Sequence, residues 1–189
     1  MLTPLFIKKE ITMQKTINVY LLVDTSIYAK QGLPKLQKML ISIHRAKPFM
    51  PTNTKLHVIG FNDRARITDL SKRITPTGNP MLSVGLDTLD TVIRYQRKYE
   101  PQQAKSVFIF YTSGNVAEGW KKPLNHLFKH REFAFGHRYV VTYSHVTNRA
   151  NAACKAFTDT DSNILNYFSA DRLCRLTRDI DYKRKAIMQ

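Results

Sequence analysis

The sequence predicts an α/β fold, a three-layer and open, mostly parallel sheet with helices on both faces. Strand-like and helix-like segments alternate along the chain, which is the pattern of a sheet built by crossover helices. The strand candidates are apolar throughout instead of alternating with polar residues, as strands covered on both faces must be. At 189 residues, the chain has the length of one domain with some decoration.

The first strand is Ile17–Val23 (INVYLLV), a near-continuous run of β-branched, aromatic and aliphatic residues. Leu33, Leu36, Leu40 and Ile43 then recur at helical spacing, and Pro48 and Pro51 stop the pattern. Lys55–Phe61 reads as the second strand and Arg64–Thr68 as a short edge strand. Leu82, Leu86, Leu89 and Ile93 mark a helix whose last turns hold Arg94, Arg97 and Lys98, cations that suit its negative dipole end. Ser106–Tyr111 is the third buried strand. Pro123 suits the first position of a helix carrying Leu124, Leu127 and Phe128, and Tyr139–Tyr143 is the fourth strand. Ala150, Ala153, Cys154 and Phe157 share one helical face. Ile164–Phe168 reads as a last strand, after which Ser169 caps a helix with Leu173, Leu176 and Ile180 inward. This gives a basic lead-in over 1–14, one domain over 15–182 and a basic tail over 183–189.

Composition narrows the class. Hydrophobic residues are 43% and aromatics 11% of the chain, so its net charge of +16 is not a sign of disorder. No apolar run has the roughly 20 residues of a membrane helix, and the opening Met1–Glu10 lacks the apolar core and cleavage site of a signal peptide. Cys154 and Cys174 form neither a zinc pattern nor a disulfide framework, which predicts a cytoplasmic, reducing setting. The cations are spread over both halves, with local clusters at Lys121–Lys122, Lys129–Arg131 and Lys183–Lys185. Such a surface suits acidic partners, and nucleic acid is the other partner to test.

In an open α/β sheet, ligands bind beyond the carboxyl ends of the strands, and the loops there carry a resemblance. The run Val19–Ser26 (VYLLVDTS) resembles the opening of a von Willebrand factor type A (VWA) domain, whose D-x-S-x-S loop begins a metal-ion-dependent adhesion site. Phe61-Asn62-Asp63-Arg64-Ala65 is similar to the F-x-D-x-A segment of that family. Gly78-Asn79-Pro80 stands where the family has G-G-T, and Thr112-Ser113-Gly114 where it has T-D-G. Together these pieces span residues 17–180. The nearest resemblance is to bacterial intracellular members, including those of tellurite-resistance and stress operons.

The resemblance implies a metal site, and Mg²⁺ needs near-octahedral oxygen ligands at about 2.1 Å. Asp24 and Ser26 are kept. Tyr28 stands at the second serine position, Asn79 at the threonine position with Thr77 as the alternative, and Ser113 replaces the second aspartate. The set Asp24, Ser26, Asn79 and Ser113 is therefore a degenerate site, expected to bind Mg²⁺ or Mn²⁺ weakly or not at all. Without its metal, Asp24 would cap backbone N–H groups of its loop, and Asp63 would be a turn residue.

Catalytic patterns are missing. The seven glycines never fall as G-x-G-x-x-G or as a P-loop. Ser113 has no evident base, and no G-x-S-x-G elbow occurs. His126 and His130 lack the glutamate of H-E-x-x-H and read as solvated surface histidines. Asp87 with Asp90, and Asp159 with Asp161, read as helix-surface and turn groups. The chain is expected to be a non-enzyme.

The segment Trp120–Tyr139 interleaves cations with aromatics, as single-strand platforms do. Trp120, Lys121, Lys122, Lys129, Arg131, Phe133, Phe135 and Arg138 form the candidate basic and aromatic binding surface. Phe128 and Tyr139 are expected in the core. The expected function is a protein–protein binding module with an acidic partner and no membrane contact; the alternative is a nucleic-acid-binding module that uses the basic surface.

Overall fold

The computed structural model describes residues 15–68, 74–99, 105–114, 116–142, 152–158 and 160–187. Every residue of the first strand, β1 (Ile17–Asp24), is buried. Its side chains alternate between two separate cores because successive residues of a strand point to opposite faces. Ile17, Val19, Leu21 and Val23 pack with Leu36, Met39, Leu40 and Ile43 of α1 (Leu33–Ala46). Tyr20 and Leu22 pack on the other side with Leu82, Leu86, Leu89 and Ile93 of α2 (Leu82–Tyr99).

Between these helices lie β2 (Thr54–Phe61) and the short β3 (Ala65–Thr68). The second half contains β4 (Val107–Thr112), α3 (Lys121–Leu127), α4 (Arg131–Ala134), β5 (His137–Thr142), α5 (Ala152–Phe157), β6 (Ile164–Leu165) and α6 (Ala170–Ile187). The strand order is β3-β2-β1-β4-β5-β6. All pairings are parallel except β2 with β3, which run antiparallel at one edge. α6 joins α1 over the first core through Leu173 and Ile180, while α3, α4 and α5 join α2 over the second. This is the expected three-layer α/β architecture.

Two positions show how tightly the layers meet. A Cβ on Gly85 of α2 would lie 2.9 Å from the Phe61 ring and 3.0 Å from Leu22 Cδ1, so glycine sets the closeness of helix and sheet. At the start of α6, the Arg172 N–H donates to Ser169 Oγ (3.1 Å), the expected cap.

Several boundaries differ from expectation. The helix expected to start at Pro123 begins at Lys121. The loop expected around Phe133 contains α4, which turns Phe133 into the core. The last strand shrinks to Ile164–Leu165, because Phe168 is buried under α6 and not in the sheet. Cys154 and Cys174 are both buried. The lead-in over 1–14, Tyr143, Ala150 and Asp159 lie outside the described residues, as do the side chains of Arg184 and Lys185. Among the described residues no helix is long and apolar enough to cross a membrane.

Candidate functional site

From β1 the sheet grows outward in both directions, through β2 on one side and β4 on the other. The loops leaving β1 and β4 therefore diverge and open a crevice at the carboxyl ends of the strands. Asp24, the last residue of β1, lies at its floor and is fully buried. Its Oδ1 accepts the Ser26 N–H (2.9 Å). Its Oδ2 accepts the Ser113 hydroxyl (3.2 Å), with the Ser113 N–H at 3.5 Å. Burial pushes the Asp24 carboxyl above the ordinary carboxylate range, and the groups of Ser26 and Ser113 offset this only in part.

The rim is braced by backbone bonds. The Thr25 N–H and hydroxyl both donate to the Phe61 carbonyl (2.8 and 2.9 Å). Thr77 N–H donates to the Thr25 carbonyl (3.0 Å), and Ile27 N–H to the Gly78 carbonyl (3.1 Å). Gly78 has φ +68°, and a Cβ there would fall 2.1 Å from Asp63 Oδ2. This position needs glycine both for its left-handed backbone and for its lack of a side chain. Asp63 Oδ1 accepts the Asn79 N–H (2.9 Å), so Asp63 is a turn residue. Asn62 Nδ2 donates to Thr77 Oγ1 (2.9 Å), which engages the hydroxyl of the alternative threonine.

Asp24, Ser26 and Ser113 are thus brought together, while Asn79 sits on the adjoining loop with its residue exposed. Tyr28 is 52% exposed in the turn after Ser26. These residues fit a divalent ion only in part. Ser26 Oγ is buried and close enough to help stabilise the Asp24 charge, yet it has no partner in hydrogen-bond geometry, and an ion would complete it. Against this, Asp24 is the single carboxylate at the floor of the crevice among the described residues, and both of its oxygens already accept hydrogen bonds. A hard cation prefers several charged or strongly polar oxygens.

The basic and aromatic segment is only partly a surface. Lys121, Lys122, Lys129 and Arg131 are exposed, and Phe135 is 68% exposed with the Arg131 guanidinium 5.9 Å from its ring centre. Trp120 is half-buried against the second core. Phe133 and Arg138, expected on the surface, are both buried. Arg138 is 2% exposed, and its guanidinium donates to the carbonyls of Phe157 (2.9 Å), Phe133 (2.6 Å) and Ala134 (2.9 Å). It also stacks over the rings of Phe128 (4.8 Å) and Phe133 (5.3 Å). Those carbonyls come from the ends of short helices, where backbone donors run short, although the Phe133 carbonyl also accepts the Gly136 N–H (3.3 Å). Tyr139 is buried as expected, but Phe128 remains 37% exposed beside Arg138.

A second cluster corrects the reading of Asp90, His126 and His130 as independent surface groups. Asp90 on α2 is 6% exposed. Its Oδ1 lies 2.6 Å from His130 Nε2 and 3.7 Å from His126 Nε2. Its Oδ2 is bonded by Arg94, one turn on. Burial alone would raise this carboxyl, but bonds from Arg94 and His130 outweigh it and hold the group below its ordinary value. A cleft of about 780 Å³ opens beside it, lined also by Lys121, Lys122 and Lys129. The sequence signals were the two i,i+4 pairs, Asp90 with Arg94 and His126 with His130. Their meeting depends on α2 packing against α3, which neither pair reveals alone.

No protein-family model matches the chain, and no curated protein sequence does. Solved structures do match its fold. Manganese-loaded Plasmodium vivax TRAP protein aligns with TM-score 0.55 at 17% identity, over 89% of this chain and 74% of that one. The pilus adhesin SpaC from Lactobacillus rhamnosus GG, in its open conformation, aligns with TM-score 0.52 at 12% identity over 89% of this chain. Proximal thread matrix protein 1 from the mussel byssus, with a zinc-occupied metal-ion-dependent adhesion site, aligns with TM-score 0.51 at 14% identity over 89% of this chain. The chain spans 30% of the length of SpaC and 48% of the thread protein. At these identities the likeness is one of fold, and the fold is VWA-like.

Proposed function

We propose that the chain is a non-enzymatic protein-binding module whose adhesion-type metal site has become a hydrogen-bonded crevice, and that its partner presents an acidic surface. The observation behind this reading is the Asp24–Ser113 bond (3.2 Å). A hydroxyl stands where the resemblance implies a second carboxylate, and it donates to the first. The exchange removes one negative charge from the site and lets Asp24 be satisfied by protein donors. Its burial also disfavours the ionised form that a cation needs. Asp24, Ser26 and Ser113 are the residues that would hold Mg²⁺ or Mn²⁺, which they bind weakly at most.

Around the crevice the loops present Ile27, Tyr28 and Asn79 to solvent, with the cations Lys30 and Arg64 exposed on the first and second loops. A positive net charge of +16 steers an acidic partner toward such a surface and speeds encounter. The likeness in fold to a pilus adhesin supports a binding role. Burial of Phe133 and Arg138 removes one ring and one charge from the platform that favoured nucleic acid.

The test uses a deca-glutamate peptide as the acidic probe on the immobilised full chain. Binding is expected to survive EDTA and to weaken in the Lys30→Glu and Arg64→Glu variants. Binding abolished by EDTA, or indifferent to both reversals, would contradict the proposal. A single-stranded oligonucleotide retained with a log-linear salt slope of several phosphates would favour the alternative partner.

A further inference from the structure

The Asp90 cluster lies on the α2–α3 flank, apart from the loops that form the Asp24 crevice. Asp90 is bonded both to Arg94 on its own helix and to His130 in the turn between α3 and α4, which ties α2 to that turn. His126 joins the cluster from its exposed side. That side chain is 47% exposed, yet its Nε2 is directed at the same Asp90 Oδ1 from 3.7 Å, beyond hydrogen-bond length. The Arg94 guanidinium also lies 3.3 Å from His126 Nε2. Because a guanidinium can only donate, this contact requires the lone pair on Nε2. That is the tautomer in which an imidazole ligates a metal through Nε2.

We propose that Asp90, His126 and His130 form a second cation site, for a borderline divalent metal of the Zn²⁺ class. One oxygen and two nitrogens, all within 4.8 Å of one another, supply the donor set. Two neutral imidazoles and one carboxylate suit Zn²⁺ and its neighbours in preference to Mg²⁺ or Ca²⁺. Around a tetrahedral ion with bonds of about 2.0–2.1 Å, ligand atoms sit about 3.3–3.4 Å apart. The separations of 2.6 and 3.7 Å bracket that value. On metal binding His130 changes tautomer, its proton passing from Nε2 to Nδ1 so that the ring stays neutral, and the pair opens while His126 closes in. On the carboxylate, Arg94 bonds Oδ2 and leaves Oδ1 for the ion, as outer partners of metal ligands do, and it releases His126 Nε2 when that nitrogen ligates.

Three protein ligands leave a coordination position open toward the cleft. The cleft is lined by Lys121, Lys122 and Lys129. These exposed cations weaken the ion's binding somewhat and favour an anionic group, such as a carboxylate, in the open position.

The experiment is competition for Zn²⁺ between the full chain and a chromophoric chelator, with Co²⁺ absorption as a report of ligand geometry. Wild type is expected to take up one equivalent and to give the intense visible bands of a tetrahedral Co²⁺ site. His126→Ala removes an exposed side chain, so the fold survives, and it is expected to weaken Zn²⁺ binding at least about 10-fold. Asp24→Asn is expected to leave uptake unchanged. Absence of stoichiometric uptake would overturn the proposal, and so would uptake that His126→Ala and His130→Gln leave intact.

Discussion

Replacing Arg138 by methionine separates the two roles that this residue could have. Methionine fills most of the volume of the arginine stem but donates nothing, so the carbonyls of Phe133, Ala134 and Phe157 lose the donors they now share. Hydrogen bonds to a charged group contribute about 1.5–3 kcal/mol each. Part of that is returned because a buried guanidinium no longer has to be desolvated, a cost that already pulls its pKa below the ordinary value. The net loss is about 3 kcal/mol, or a fall in Tm of about 6–12 °C for a domain of this size. Arg131→Met, at an exposed position in the same segment, serves as the control and is expected to stay within about 0.5 kcal/mol of wild type. Both variants are followed by thermal melts and by salt elution from phosphocellulose. An Arg138→Met chain with wild-type Tm and reduced retention would mean that the guanidinium faces a ligand, and it would refute the assignment of Arg138 to the core.

Other expectations concern the crevice and the layer contacts. Asp24→Asn keeps an acceptor for the Ser26 N–H and removes a carboxyl whose pKa burial has raised. A group raised in the folded state binds its proton more tightly there, so wild type loses stability as pH climbs from the unfolded value of 3.8 through the raised one. The variant is therefore expected to gain stability relative to wild type across that window, as measured by urea denaturation at a series of pH values. A gap that does not change with pH would contradict the burial of Asp24. Gly85→Ala gains up to about 1 kcal/mol of helix propensity, but its Cβ meets Phe61 at 2.9 Å and Leu22 at 3.0 Å. Overpacking of about 1–3 kcal/mol is expected to win, and the denaturation midpoint should fall; a rise would mean that α2 moves off the sheet without cost.

The architecture was legible because two periodicities are clean. The Ile17–Val23 run has no room for a solvent face, and the leucines of α1 and α2 fall on single stripes. Local chemistry also read correctly where one residue acts on its own loop, as with Ser169 at its helix start and Asp63 in its turn. Asp24 and Ser113 were grouped by the resemblance to the VWA loops, and they meet because Asp24 ends β1 and Ser113 directly follows β4, its neighbour in the sheet. What failed depends on contacts between elements. Arg138 lies in a strand that reads HRYVVT, and a charged residue near a strand end looks solvent-exposed. Its burial follows from carbonyls at the ends of α4 and α5 that no sequence pattern places beside it. Phe133 was missed because a helix of four residues has too little length to show a period. Asp90 looked like a surface group because the histidines that cover it, His126 in α3 and His130 in the turn after it, are far away in the sequence.

Titration of the His126→Ala/His130→Gln chain with Mn²⁺, followed by electron paramagnetic resonance, addresses the crevice most directly, because this background removes both nitrogen ligands of the second site and leaves the oxygen donors of the crevice. A crevice closed by the Asp24–Ser113 bond is expected to show no sub-millimolar Mn²⁺ site that depends on Asp24. One equivalent of Mn²⁺ bound at micromolar concentration and lost in the added Asp24→Asn variant would contradict it.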